Sequence, residues 1–154
     1  MRKSSLNEKE RGVYLLVLKL KDIQRIQLGK LSEICFKAGI YLYIGRARRG
    51  LRARLERHMR DNKKLFWHID YLLQKAKIEE VWIKRDVFDE CGVVLEIKKI
   101  LKDSSSAIRN VGSSDCRCPA HLFYIHQKGK VKTHLTSLRE KISFEKIEIH
   151  GNQI

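Results

Sequence analysis

Two tyrosines and two basic side chains stand at spacings that let them act together. Tyr41 and Tyr43 are two residues apart, so on a strand both project from one face. Arg54 and His58 are one helical turn apart, so on a helix they share a face. Between these pairs run Arg46, Arg48, Arg49 and Arg52, with Arg57 and Arg60 just beyond, the most basic stretch of the chain. A planar guanidinium binds phosphate with two parallel hydrogen bonds, and an imidazole or phenol beside it suits proton transfer. Phosphate handling is the chemistry that these residue types would serve. Ordinary half-buried packing accounts for strand tyrosines taken singly, and a solvated helix face accounts for some of the arginines. Arg54 stands apart, because it flanks an apolar stripe and pairs by spacing with His58.

Further along, Glu90 adjoins Cys91, and Cys116, Cys118 and His121 fall close together. Near the start of a helix, Glu90 is either an acid favoured by the helix dipole or a metal ligand, and the residues alone leave both open. Cys91, Cys116, Cys118 and His121 together would make a Cys₃His zinc site. The C-x-C spacing is tighter than zinc sites use, and no second pair completes it, so buried thiols beside a core strand are the simpler reading. His126, His134 and His150 have no comparable context and read as surface residues.

The elements that must position these groups show in the apolar pattern. Branched apolar residues over 12–20 predict a buried strand, and the partly alternating 23–28 predicts a second strand paired with it as a hairpin. Residues 40–44, entered through Gly39 and left through Gly45, predict a third. These connections are too short for crossover helices, so an α+β fold is expected, a small antiparallel sheet of about three to five strands flanked by helices. Leu51, Leu55 and Met59 recur every four residues and mark the buried stripe of a helix over 51–60. Gly45 and Gly50 would let the backbone turn tightly into it. A second helix is expected from Trp67, a strand over 79–85, a third helix over 91–101 with Phe88 or Asp89 at its start, and a strand over 122–126. Ser104, Ser105 and Ser106 read as a loop, as does the polar 112–121. Residues 127–154 read as a basic, weakly patterned C-terminal extension. With no repeat and no long linker, residues 1–154 are read as one domain.

Lys and Arg number 33 against 18 Asp and Glu, a formal net charge of +15. Such an excess implies a polyanionic partner, nucleic acid first of all, although a membrane surface or an acidic protein would also attract it. Arg46, Arg48, Arg49, Arg52 and Arg57 would meet the phosphates. The first ten residues lack the apolar core of a secretory signal, and no apolar run reaches the roughly 18 residues that span a bilayer. An intracellular, cytoplasmic protein is therefore expected, its four cysteines serving as thiols or metal ligands rather than in disulfides.

Gly12-Val13-Tyr14, then Tyr43-Ile44-Gly45, then the Arg54 and His58 pair together resemble the GIY-YIG nuclease family. The run from Trp67-His68-Ile69-Asp70-Tyr71-Leu72 through Glu90-Cys91 to Gly112-Ser113-Ser114-Asp115-Cys116, Cys118 and His121-Leu122-Phe123-Tyr124 is similar to a small stand-alone branch of it. That branch also occurs fused to endonuclease III-type glycosylases. The resemblance covers residues 11–126, and the order of the motifs carries its specificity. Gly39-Ile40-Tyr41 has the letters of the first element. However, the family's two elements lie on adjacent strands, whereas Tyr41 and Tyr43 share one, so the first element is assigned to Tyr14. The long interval from Tyr14 to Tyr43 calls for an extra strand or hairpin between residues 23 and 35.

The resemblance implies a metal-dependent DNA endonuclease with a role in repair or recombination. Tyr14 and Tyr43 would orient or deprotonate the attacking water, and Arg54 would neutralise charge on the scissile phosphate. His58 and His68 would assist proton transfer or contact phosphate. Glu90 would hold one divalent ion, Mg²⁺ or Mn²⁺. The partner would be DNA, with RNA admitted by the same charge, and the fusions point to a repair protein as a second partner. For the family's late asparagine, Asn110 is the nearest counterpart, with Ser113, Ser114 and Asp115 in the same region, and that position stays open. The alternative is a nucleic-acid-binding module without nuclease chemistry.

Overall fold

Val13, Leu15 and Val17 point to one face of the first strand and Tyr14, Leu16 and Leu18 to the other, and all six are buried. A strand buried on both faces belongs at the centre of a covered sheet. The computed structural model describes residues 6–30, 33–109, 111, 120–126, 131–151 and 153–154. In order these form β1 (Gly12–Leu20), β2 (Gln24–Gln27), β3 (Glu33–Phe36), β4 (Gly39–Ala47), α1 (Leu51–Met59), α2 (His68–Leu73) and β5 (Lys77–Arg85). There follow α3 (Glu90–Leu101), a short 3₁₀ turn, β6 (Ser105–Ile108), β7 (Leu122–Ile125), α4 (Val131–Ile142) and β8 (Glu145–Ile147). The main sheet is antiparallel throughout, with strand order β6-β7-β4-β1-β5-β8.

Each face has its own core. Leu51, Leu55 and Met59 of α1 and Ile69 and Leu72 of α2 pack on the face of Tyr14, Leu16, Tyr41 and Tyr43. Val93, Val94, Ile97 and Leu101 of α3 pack with Leu135, Leu138 and Ile142 of α4 on the face of Val13, Leu15, Leu42 and Ile44. The expected α+β class and antiparallel sheet are therefore found, as is the α1 stripe. No helix among the described residues is long and apolar enough to cross a membrane.

Four details differ from expectation. First, β2 does not pair with β1; it pairs with β3, giving a separate two-stranded sheet that carries Ile26 and Phe36 into the first core. That hairpin fills the long interval between Tyr14 and Tyr43. Second, Gly45 does not end a strand, because β4 continues to Ala47. Third, Ser105 and Ser106 are not in a loop but in β6, whose ladder to β7 overrides their weak strand propensity. Fourth, the segment after Gln127 is no appendage. Its helix buries Leu135, Leu138 and Ile142, each contributing about 1.5–3 kcal/mol, and β8 pairs with β5. With β6 and β8 added, the sheet has six strands, one more than expected.

Candidate active site

The β1–β4 register sets Tyr14 opposite Gly45 and Leu16 opposite Tyr43, so the two tyrosines lie diagonally on one face of adjacent strands. Their ring centroids are 6.4 Å apart. Gly45 is required because the Tyr14 ring lies over it. A Cβ there would stand 2.3 Å from the Tyr14 hydroxyl, far inside contact distance. The chain then turns at Gly50, whose φ of 145° suits glycine, and the Leu51 amide donates to the Glu10 carbonyl at 2.7 Å. Thus α1 brings His58 against both tyrosines. Its Nε2 is 2.6 Å from the Tyr14 hydroxyl, and its ring lies 5.4 Å from that of Tyr14 and 6.0 Å from that of Tyr43.

Trp67 closes the cluster, 5.9 Å from the His58 ring. The Arg54 and Arg57 guanidiniums lie 4.5 Å and 4.3 Å from the Trp67 ring centroid, both within cation–π range. The Arg54 guanidinium stands close enough to the Tyr14 hydroxyl to oppose its upward shift, and it donates to the Arg46 carbonyl at 3.2 Å. Arg57 forms a bidentate pair with Asp70 at 2.9 and 3.0 Å. The same carboxylate accepts the backbone N–H groups of Phe66 and Trp67 at 2.8 and 2.9 Å.

Burial dominates the proton affinities. It pushes the Tyr14 phenol well up, outweighing the opposing Arg54 guanidinium, and does the same to Tyr43. Both are protonated at neutral pH. Burial lowers His58 to about 3, and Arg54, Lys63 and Arg57 add to it against Asp70, so the imidazole is neutral. Burial also pushes Asp70 up, but its Arg57 and backbone hydrogen bonds prevail and hold it below the usual carboxylate value.

The His58 environment has a measurable cost. Unfolding releases an imidazole that takes up a proton below about pH 6.5, which the folded protein resists down to about 3. The unfolded chain binds more protons in that window, so stability is full above it and falls with acidification by up to about 1.4 kcal/mol per pH unit. Urea titrations between pH 7.5 and 4 should show this slope flattened in His58→Gln. An unchanged slope in that variant would place the dependence elsewhere.

Glu90 opens α3 and is buried. One carboxylate oxygen lies 3.6 Å from Arg46 Nε and the other 3.4 Å from His121 Nδ1. Arg46 thereby links the two faces of the sheet: its carbonyl accepts from Arg54 while its side chain approaches Glu90. His121 is held by backbone bonds to Val111 and Ile44. Burial lowers its pKa, assisted by Arg46 and opposed by the Ile44 bond. Mg²⁺ commonly takes one or two carboxylates and completes its shell with water and phosphate oxygens. Glu90 fits that role as a single carboxylate, buried at the head of α3. Among the described residues no group of three or more His, Cys, Asp and Glu could hold a metal by itself.

A family model described as a domain of unknown function, DUF123, matches residues 13–144. The chain belongs to the DUF123 family. The match takes in every candidate residue from Tyr14 to His121 and runs on through α4, in keeping with the packing of that helix. No curated protein and no solved structure matches the chain.

Within this DUF123 domain, Tyr14, Tyr43, Arg54 and His58 lie together, with Glu90 joined to them through Arg46. Tyr41 stays outside. Its hydroxyl donates to the Lys37 carbonyl at 2.7 Å, and its ring packs on Phe36 and Tyr124. His68 opens α2, but the ring that packs on His58 is that of Trp67, one residue earlier. Three of the five arginines expected to meet phosphate are engaged within the protein: Arg46 with Glu90, Arg52 with Glu56 and the Leu6 carbonyl, and Arg57 with Asp70. Arg48 and Arg49, in the turn before α1, are exposed.

Cys91 is disulfide-bonded, which corrects its reading as a thiol or zinc ligand, whereas Cys35 is a free thiol. Cys116 and Cys118 lie outside the described residues, as do Asn110, Ser113, Ser114 and Asp115. Trp67 and Asp70 were missed as site residues. An aromatic followed three residues later by an acid, just before an apolar helix, has the spacing of a helix start, a signal that marks a cap and says nothing of Arg54, Arg57 or His58.

Proposed function

We propose that this domain is a GIY-YIG-type endonuclease, dependent on a divalent metal, that hydrolyses DNA phosphodiester bonds in repair or recombination. The observation that carries this reading is the buried Tyr14 hydroxyl, 2.6 Å from the neutral His58 and beside the Arg54 guanidinium. A phosphate at Arg54 would place an attacking water beside Tyr14 and Tyr43. Neither phenol is ionised at neutral pH, so neither acts as a base unaided. Instead the water passes a proton to the Tyr14 oxygen while Tyr14 passes its own to His58 Nε2. The hydroxide bonds to phosphorus as the phosphorus bond to the leaving sugar oxygen breaks, and that oxygen takes up a proton from solvent. Arg54 stabilises the charge that builds on the phosphoryl oxygens, as preorganised donors do in a water-poor site. Burial chiefly depresses His58, and the phosphate's negative charge would offset only the smaller fields of Arg54, Lys63 and Arg57 that add to it. Glu90 would hold Mg²⁺ or Mn²⁺, which when bound polarises a phosphoryl oxygen and stabilises the leaving oxygen.

One observation favours a second reading, a nucleic-acid-binding module: Glu90 is already approached by Arg46 and His121. Cleavage separates the two. Nicking of branched or damaged DNA is expected in Mg²⁺ or Mn²⁺ and not in EDTA. Arg54→Ala and Glu90→Ala should bind that DNA and cut it about 10²-fold more slowly or worse. Salt-dependent binding with no cleavage of any substrate would leave the module. No salt-dependent binding at all would sink both readings.

A further inference from the structure

Phe66 is the most exposed large hydrophobic side chain among the described residues, at 75%. Leaving such a ring in water forgoes the gain of burying it, and its setting is specific. Its backbone N–H is pinned by the Asp70 carboxylate at 2.8 Å, and its ring meets Trp67 edge-on at 5.8 Å. Trp67 in turn carries Arg54 and Arg57, and Arg57 donates to the Lys64 carbonyl at 3.2 Å. The segment is thus fixed at both backbone and aromatic levels while the Phe66 ring faces solvent beside the cluster. Exposed Arg60 and Lys64 lie six and two residues before it in the chain. The other exposed apolar residues lie elsewhere, Ile23 just before the hairpin and Leu95 on α3, across the sheet.

We propose that Phe66 is a stacking platform for an unstacked base beside the phosphate bound at Arg54, so that the preferred substrate has unpaired nucleotides at that point. The inference rests on the nuclease reading only for its nucleic-acid partner. A rigid aromatic among cations is how proteins grip single-stranded segments, because every base offers a π-face while the cations follow the backbone. In an intact duplex both faces of each base are already covered, and insertion would first have to open a step.

Binding in EDTA tests this without cleavage, using a duplex with an unpaired 2-aminopurine bulge and the same duplex fully paired. Phe66→Ala is expected to weaken binding to the bulged DNA about tenfold, within the range for losing one base stack, and to abolish quenching of the 2-aminopurine. Binding to the paired duplex should change little, and Phe66→Trp should keep the wild-type preference. The ring is exposed, so thermal denaturation of Phe66→Ala should match wild type. Equal affinities of Phe66→Ala and wild type for bulged DNA, or equal losses on both DNAs, would overturn the platform while leaving the nuclease reading intact. Absence of wild-type binding to either DNA would overturn both.

Discussion

Tyr14→Phe is expected to slow metal-dependent cleavage by about 10²–10⁴-fold, the range for losing a positioned proton-transfer group, with DNA binding almost unchanged. Phenylalanine keeps the ring over Gly45 and removes only the hydroxyl. The water then loses the oxygen that hands its proton to His58, and among the described residues no other side chain lies within hydrogen-bond distance of His58 Nε2. A structural cost accompanies this. His58 Nδ1 is already buried without a hydrogen-bond partner, and the substitution orphans Nε2 as well, at about 1–3 kcal/mol for an unsatisfied buried group. Single-turnover rates should therefore be taken below the melting temperature of the variant. Tyr43→Phe removes the second hydroxyl beside the water while leaving the Tyr14–His58 contact in place, so comparing the two variants separates proton transfer from water positioning. Cleavage by Tyr14→Phe at the wild-type rate would remove Tyr14 from the chemistry.

The second large effect concerns a residue that does not touch the substrate. Asp70→Ala is expected to destabilise the protein by about 3–5 kcal/mol, the cost of stranding one partner of a buried ion pair. Asp70 is wholly buried, and its carboxylate serves Arg57 twice and the amides of Phe66 and Trp67 once each. Alanine leaves all of these donors to find other partners. It also frees the segment that carries Trp67, so Arg54 loses its stacking surface and cleavage should fall with stability. Because the folded carboxyl titrates below its ordinary value, its contribution is complete above about pH 4 and disappears as the pH falls through the folded value. Urea unfolding at pH 7 reads the effect directly. A loss under about 1 kcal/mol, the level of an exposed pair, would show that the Arg57 pair is worth no more than a surface contact.

The readable parts of this chain were those set by local periodicity. Leu51, Leu55 and Met59 gave α1 its buried side, and with it the position of Arg54 and His58. The alternating burial of β1 was implicit in an unbroken apolar run, and that placed Tyr14. Features made by contacts between distant segments were not readable. Ser105 and Ser106 become a strand only because β7 offers an edge, and β8 depends on β5 in the same way. Arg57 looked like a phosphate ligand because nothing in the sequence shows that Asp70 will reach it. Trp67 gives no hint that two arginines will stack on it. Cys91 carried the opposite difficulty, since nothing in its local sequence at the head of a helix marks it as disulfide-bonded.

The alternation along β1 has one more consequence. Tyr14 reaches His58 only in the register that sets it opposite Gly45. A slip of one residue would send it to the far side of the sheet, among the residues under α3 and α4, and carry Val13 into its place. Any chemistry the cluster performs is thus gated by completion of the central ladder. A half-folded chain would still present cationic arginines to DNA but have no assembled means of cutting it. For a protein read as a nuclease, the fold would then act as its own safety catch during synthesis.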